Sequence, residues 1–167
     1  MAVFIDMDGV VADLAAGFQS ITGWELSPQK EKEIGKVRYW QKVDEYRPNF
    51  WLGLPKMSDA DLLIEELFDL YVPEDIHILS AKFNSHEECE AETRAWIEKP
   101  YPQFLPENIN IVKRKEKRQF AVDPESGLAN VLIDDLEKNC WEWSEAGGIA
   151  VLHTKSQNSL ICAAKYK

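Results

Sequence analysis

The chain has 167 residues, enough for one domain with a small insertion and a sizeable buried core, and its 45% hydrophobic content excludes a disordered chain. A net charge of −10 argues against a polyanionic partner such as duplex DNA, whose binding rests on neutralising phosphates, and no apolar run approaches the ~20 residues of a membrane span. The cysteines Cys89, Cys140 and Cys162 lack metal-ligand spacing and read as reduced thiols, and an apolar strand starting at residue 2 leaves no room for a leader, so a cytoplasmic protein is expected.

Ala2 to Ile5 form a short unbroken apolar run, the pattern of a strand buried on both faces. It stops at Asp6, with Asp8 and then Gly9 behind it. On its own, Asp-x-Asp-Gly describes a solvated turn; its weight comes from the residues that end the other strands. From Asp13 to about Pro55 the strand–helix rhythm lapses, and the segment reads as a compact helical insertion with a charged, exposed helix over 29–38. It holds Trp24, Tyr39, Trp40, Tyr46, Phe50 and Trp51 together with Arg38 and Arg47. Most of these rings are expected to pack a local core, and one or two to project over the Asp6/Asp8 end as a stacking surface.

Ser58 with Asp61 predicts a capping box opening a helix whose apolar side is Leu62, Leu63, Leu67, Phe68 and Leu70, with Pro73 marking its end. A second strand, 76–79, ends at Ser80, and its His77 is expected to be packed rather than a ligand. Ser85 with Glu88 predicts another capping box, for a helix burying Cys89, Thr93, Trp96 and Ile97. After a proline-rich connection, 109–112 forms a third strand, followed by the basic run Lys113, Arg114, Lys115, Lys117 and Arg118. Such a run is mainly a solvated face. Lys117 stands apart, because it precedes Phe120 and Ala121 by helical spacing and shares their inward side. The fourth strand, 130–133, ends at Asp134 and Asp135. A helix over 136–146 closes with Gly147 as a left-handed cap, a fifth strand covers 149–152, and a polar or partly helical tail comes last.

Short apolar strands alternating with helices imply a doubly wound parallel sheet, in which ligands bind at the carboxyl ends of the strands. Those ends here carry Asp6, Asp8, Ser80, Asp134 and Asp135, with Lys117 nearby. Four carboxylates against one lysine leave a negative excess, met either by a sharp rise in their proton affinities or by a divalent cation, and all-oxygen ligands point to Mg²⁺. Phosphoryl transfer is the matching chemistry. Asp6 would attack phosphorus, Asp8 would act as acid and then base, and Ser80 and Lys117 would hold the phosphoryl oxygens.

The set Asp6-Met-Asp8-Gly9-Val, Ser80, Lys117 and Ile133-Asp134-Asp135 resembles the four motifs of the haloacid dehalogenase (HAD) superfamily of phosphohydrolases. DMDGVVADLAAGF (6–18), FWLGLP (50–55), AWIEK (95–99) and VLIDD followed by Trp and Gly-Gly are similar to the 5'(3')-deoxyribonucleotidases. This resemblance implies a Rossmann-like core from 1–13 and 56–167 with a small helical cap over 14–55. It implies Mg²⁺ bound by Asp6, the main-chain carbonyl of Asp8 and the Asp134/Asp135 pair. The substrate it implies is a nucleoside monophosphate, with the base on Phe18, Phe50 and Trp51 and further contacts at Ala81 and Lys82; a homodimer is compatible. Three departures bear on the fit. Ser80-Ala81 stands where relatives often carry Thr and a small polar residue, Lys115 competes with Lys117 for the third motif, and Thr93 precedes Arg94 before Ala-Trp. The same site could serve another small phosphomonoester, or the scaffold could be a non-catalytic binding protein.

Overall fold

In the computed structural model, which describes residues 1–46, 49–82 and 88–166, the five apolar runs pair as one parallel sheet. The strands are β1 (Val3–Ile5), β2 (Ile76–Ala81), β3 (Ile109–Val112), β4 (Val131–Asp134) and β5 (Ile149–Leu152), in the order β3-β2-β1-β4-β5. β1 is central, with Ile5 opposite Ile78 on one flank and Ile133 on the other. Alternation along the strands divides the core between the two faces of the sheet. Val3, Ile5, Ile76, Ile78, Val131 and Ile133 belong to one cluster, and Phe4, Leu79, Leu132, Ala121 and Trp143 to the other. An α/β fold with helices inserted after the first strand is what the sequence pattern predicts.

Beyond β1 the chain turns at Gly9 (φ 81°), whose left-handed conformation suits glycine. Three helices come next, α1 (Leu14–Thr22), α2 (Pro28–Ile34) and α3 (Lys36–Glu45). Both ends of the insertion meet in a short antiparallel stem, where Asp13 N–H donates to Pro55 O (2.8 Å) and Met57 N–H to Val11 O (2.9 Å). The helix expected over 29–38 is two helices, because Gly35 at φ 89° breaks the run between them. Phe18, Tyr39 and Trp40 pack mutually at 4.6–5.4 Å between ring centres, and Trp24 stacks on Tyr39 at 6.1 Å. These rings are continuous with the core beneath the sheet. Arg47 lies outside the described residues.

The predicted Ser58–Asp61 capping box does not form. Helix α4 (Ala60–Leu70) starts one residue beyond Asp59, whose carboxylate accepts from Ser156 N–H (2.8 Å). Asp61 is taken instead by Lys56 Nζ (2.6 Å) and the Tyr101 hydroxyl (3.0 Å). The apolar stripe of α4 is also rotated from the expected one: Ala60, Leu63, Ile64 and Leu67 are buried, whereas Leu62 is exposed. The Ser85–Glu88 capping box lies outside the described residues. Helix α5 (Glu88–Glu98) does bury Cys89, Thr93, Trp96 and Ile97. His77 stacks on Phe4 (4.6 Å), and burial lowers its pKa, as for a packed imidazole. Helix α6 (Glu137–Glu145) ends ahead of Gly147 (φ 93°), and the tail forms α7 (Ser156–Ala163), tied to α4 by the Tyr71 hydroxyl donating to Ala163 O (2.9 Å). Among the described residues no helix is long and apolar enough to cross a membrane.

Candidate active site

The chain between β3 and β4 carries a 3₁₀ segment, Arg114–Phe120. A turn of three residues aligns i with i+3, so Arg114 and Lys117 share the inward side while Lys115 and Arg118 face solvent. Of the two lysines, Lys117 is the buried one and Lys115 is exposed. Lys117 is 2% exposed and bridges the tips of β1 and β4, 2.7 Å from Asp6 Oδ1 and 2.9 Å from Asp134 Oδ2. Each strand ends in a carboxylate that the backbone helps to orient. Asp6 Oδ1 also accepts from Met7 N–H (2.8 Å), and Asp134 Oδ1 from Leu136 N–H (2.9 Å).

Asp6, Asp134 and Asp135 each bring one oxygen within 4.8 Å of the others. Burial pushes the Asp6 carboxyl well above its usual range against the pull of Lys117, with Asp134 and Asp8 adding to the rise. Asp8 is pushed up to about 6, again mainly by burial, with Lys117 opposing and Asp135 and Asp134 reinforcing. Asp135, although solvent reaches it, rises through partial enclosure and the charge of Asp134. For Lys117 burial works downward, but Asp6 and Asp134 outweigh it and its pKa rises, so the ammonium is held. Clustered carboxyls facing one ammonium thus resist ionising together, a strain that proton uptake or a divalent cation relieves.

Three observations fit a hard divalent cation at this point. The donors are all oxygen. Asp8 Oδ1 is buried without a hydrogen-bond partner. A Cβ on Gly9 would overlap the Asp135 carboxylate, so the glycine leaves that carboxylate its place.

A cavity of about 440 Å³ opens beside the acids. It is lined by Asp6, Asp8, Asp135 and Lys117, by Ala81 and Arg114, and by Leu14 and Leu26 of the insertion with Met57 just beyond it. Ser80 is buried one residue before Ala81 and does not line it. Lys82 is exposed and also stands outside it. Phe18, Phe50 and Trp51 are at most 4% exposed and do not line the cavity either. The stacking surface expected from them is absent from this wall, which is aliphatic, because burying such large rings in the core yields more than exposing them to a ligand.

Two residues at the site were not singled out in the sequence. Asn139, buried in α6, donates through Nδ2 to both oxygens of Asp134 (3.0 and 2.9 Å). Arg114 donates to Asn139 Oδ1 (2.9 Å) and forms a two-point pair with Glu142 (2.8 and 3.1 Å). The five-residue step from Asp134 to Asn139, into the first turns of a helix, was the one signal available for Asn139.

No protein-family model matches the chain, and no curated protein matches it. Among solved structures, a hydrolase from Streptococcus pneumoniae is similar at a TM-score of 0.54, with 12% identity over 97% of both chains. A HAD family hydrolase from Deinococcus radiodurans R1, solved with bound phosphate and sodium, is similar at a TM-score of 0.52. It shares 14% identity over 89% of this chain and 78% of its own. At these identities the likeness is one of fold, a HAD-like α/β core.

Proposed function

We propose that the chain is a Mg²⁺-dependent phosphomonoesterase of the HAD type, with segment 14–55 as its cap. The observation that carries this reading is the buried Lys117 bridge between Asp6 and Asp134, with Asp135 alongside and a cavity in front. Asp6, the Asp8 main-chain carbonyl, Asp134 and Asp135 would hold the ion. Bound there, Mg²⁺ supplies charge neutralisation at the phosphoryl oxygens.

The chain's own residues supply the rest. The Asp6 carboxylate attacks phosphorus, the bond to the ester oxygen breaks, and an aspartyl phosphate forms. Its Oδ1 is committed to Met7 N–H and Lys117, so the side chain cannot swing away. Asp8 gives its proton to the departing alkoxide, then takes one from the water that hydrolyses the intermediate. A carboxyl raised to about 6 can hold that proton nearer neutrality than an ordinary aspartate can. Lys117 offsets charge on the equatorial oxygens, while Ser80 does not line the cavity.

The narrower reading is a nucleoside monophosphate of the kind 5'(3')-deoxyribonucleotidases hydrolyse, and it rests on the segments at 6–18, 50–55 and 131–135. The cavity lies within the roughly 300–1,000 Å³ range of small-molecule sites. Its aliphatic wall favours a second reading, a small phosphomonoester whose organic part is not a stacked base. Phosphate release from nucleotides and sugar phosphates, with Mg²⁺ and with EDTA, separates the two. Turnover is expected in Mg²⁺ alone, and Asp6→Asn is expected to lower it by about 10⁴-fold or more while the fold persists. Wild-type turnover in Asp6→Asn would overturn the assignment.

A further inference from the structure

An unbroken chain of polar contacts runs from the edge of the cavity to the Asp6 carboxylate. Glu142 grips the Arg114 guanidinium at two points (2.8 and 3.1 Å). Arg114 Nη1 donates to Asn139 Oδ1, Asn139 Nδ2 donates to Asp134, and Lys117 joins Asp134 to Asp6. The amide of Asn139 has a donor end and an acceptor end, and guanidinium only donates. Arg114 therefore selects the orientation in which Asn139 presents its N–H group to Asp134. The reversed amide would set its oxygen against a buried carboxylate and leave Arg114 facing an N–H group, which is costly in a low-dielectric site. Asp134 is fully buried and cannot recover the lost donor from solvent.

We infer that Arg114 and Glu142 are positioning residues, which fix the Asn139 amide and through it the Asp134–Lys117–Asp6 geometry; the catalytic part of this inference rests on the phosphatase reading. Three of the five Arg114 N–H donors are committed to Glu142 and Asn139, which ties its place on the cavity wall to the site. Partners held at one remove in this way typically cost about 10–100-fold in activity when removed.

The test uses p-nitrophenyl phosphate as the probe. Arg114→Ala is expected to lower kcat about 10–100-fold with KM within about twofold. Arg114→Lys, which keeps one donor for Asn139, is expected to recover part of the loss. A raised KM at unchanged kcat would make Arg114 a substrate contact, and unchanged kinetics would remove its role; either result overturns the inference. Should Arg114→Ala not fold, Glu142→Gln is read the same way, a fall in kcat at constant KM supporting the clamp and unchanged kinetics overturning it. A second measurement does not depend on turnover. Hydrogen exchange of the Asn139 side-chain amide, followed by NMR, is expected to be slow in the wild type and faster in Arg114→Ala. Equal exchange in both overturns the clamp, whereas a wild type inactive on every phosphomonoester sinks only the phosphatase reading.

Discussion

Lys117 stands between two carboxylates in a place water scarcely reaches, and its value to the fold comes from that setting. Removing one partner of a buried ion pair leaves an uncompensated charge, typically at a cost of about 3–5 kcal/mol. Lys117→Met is therefore expected to lose about that much stability in EDTA, with part returned by Mg²⁺, as read from urea denaturation in the two buffers. Equal stability of variant and wild type in EDTA would contradict the buried bridge. Lys117 was legible in the sequence because its spacing to Phe120 survives the change from an α-helix to a 3₁₀ turn. Arg114 and Asn139 were not. One is hidden in a run of like charges, the other is an ordinary polar helix residue, and their pairing joins positions 25 residues apart.

Among the elements, the strands were the most readable, since buried parallel strands need unbroken apolar runs and these have few other uses. Helix starts were less so. Ser58 and Asp61 have capping-box spacing, but Ser156, Lys56 and Tyr101 claim the neighbouring carboxylates, and of these partners only Lys56 is close in sequence. The insertion shows the same limit. Its aromatics are as suited to a ligand as to a core, and only their mutual packing decides. Phe18 is fully buried against Tyr39 and Trp40, so Phe18→Ala is expected to cost about 3–5 kcal/mol, measured by urea denaturation. A variant of unchanged stability but raised KM would return the ring to the ligand.

At the scale of the whole molecule, two histidines make stability depend on pH. Burial lowers the pKa of both His77 and His153, with Asp75 and Asp59 respectively opposing the shift in part. A group depressed in the folded state contributes stability above its unfolded value, about 6.5, and loses that contribution as pH falls through its folded pKa. The raised carboxyls of the acid cluster act in the opposite sense, so wild type is best compared with a His77→Asn/His153→Asn double variant, which shares that cluster. The stability of wild type relative to the variant is expected to shrink between pH 7.5 and pH 5; a difference independent of pH would show that neither imidazole is held neutral. Sheet order carries a consequence for biosynthesis. β1, the first of the five sheet strands to be synthesised, has its second flank closed only by residues 131–133. At about 5–20 residues per second, that flank waits roughly 6–25 s for its partner, an open edge during translation that nascent-chain chaperones would be suited to shield.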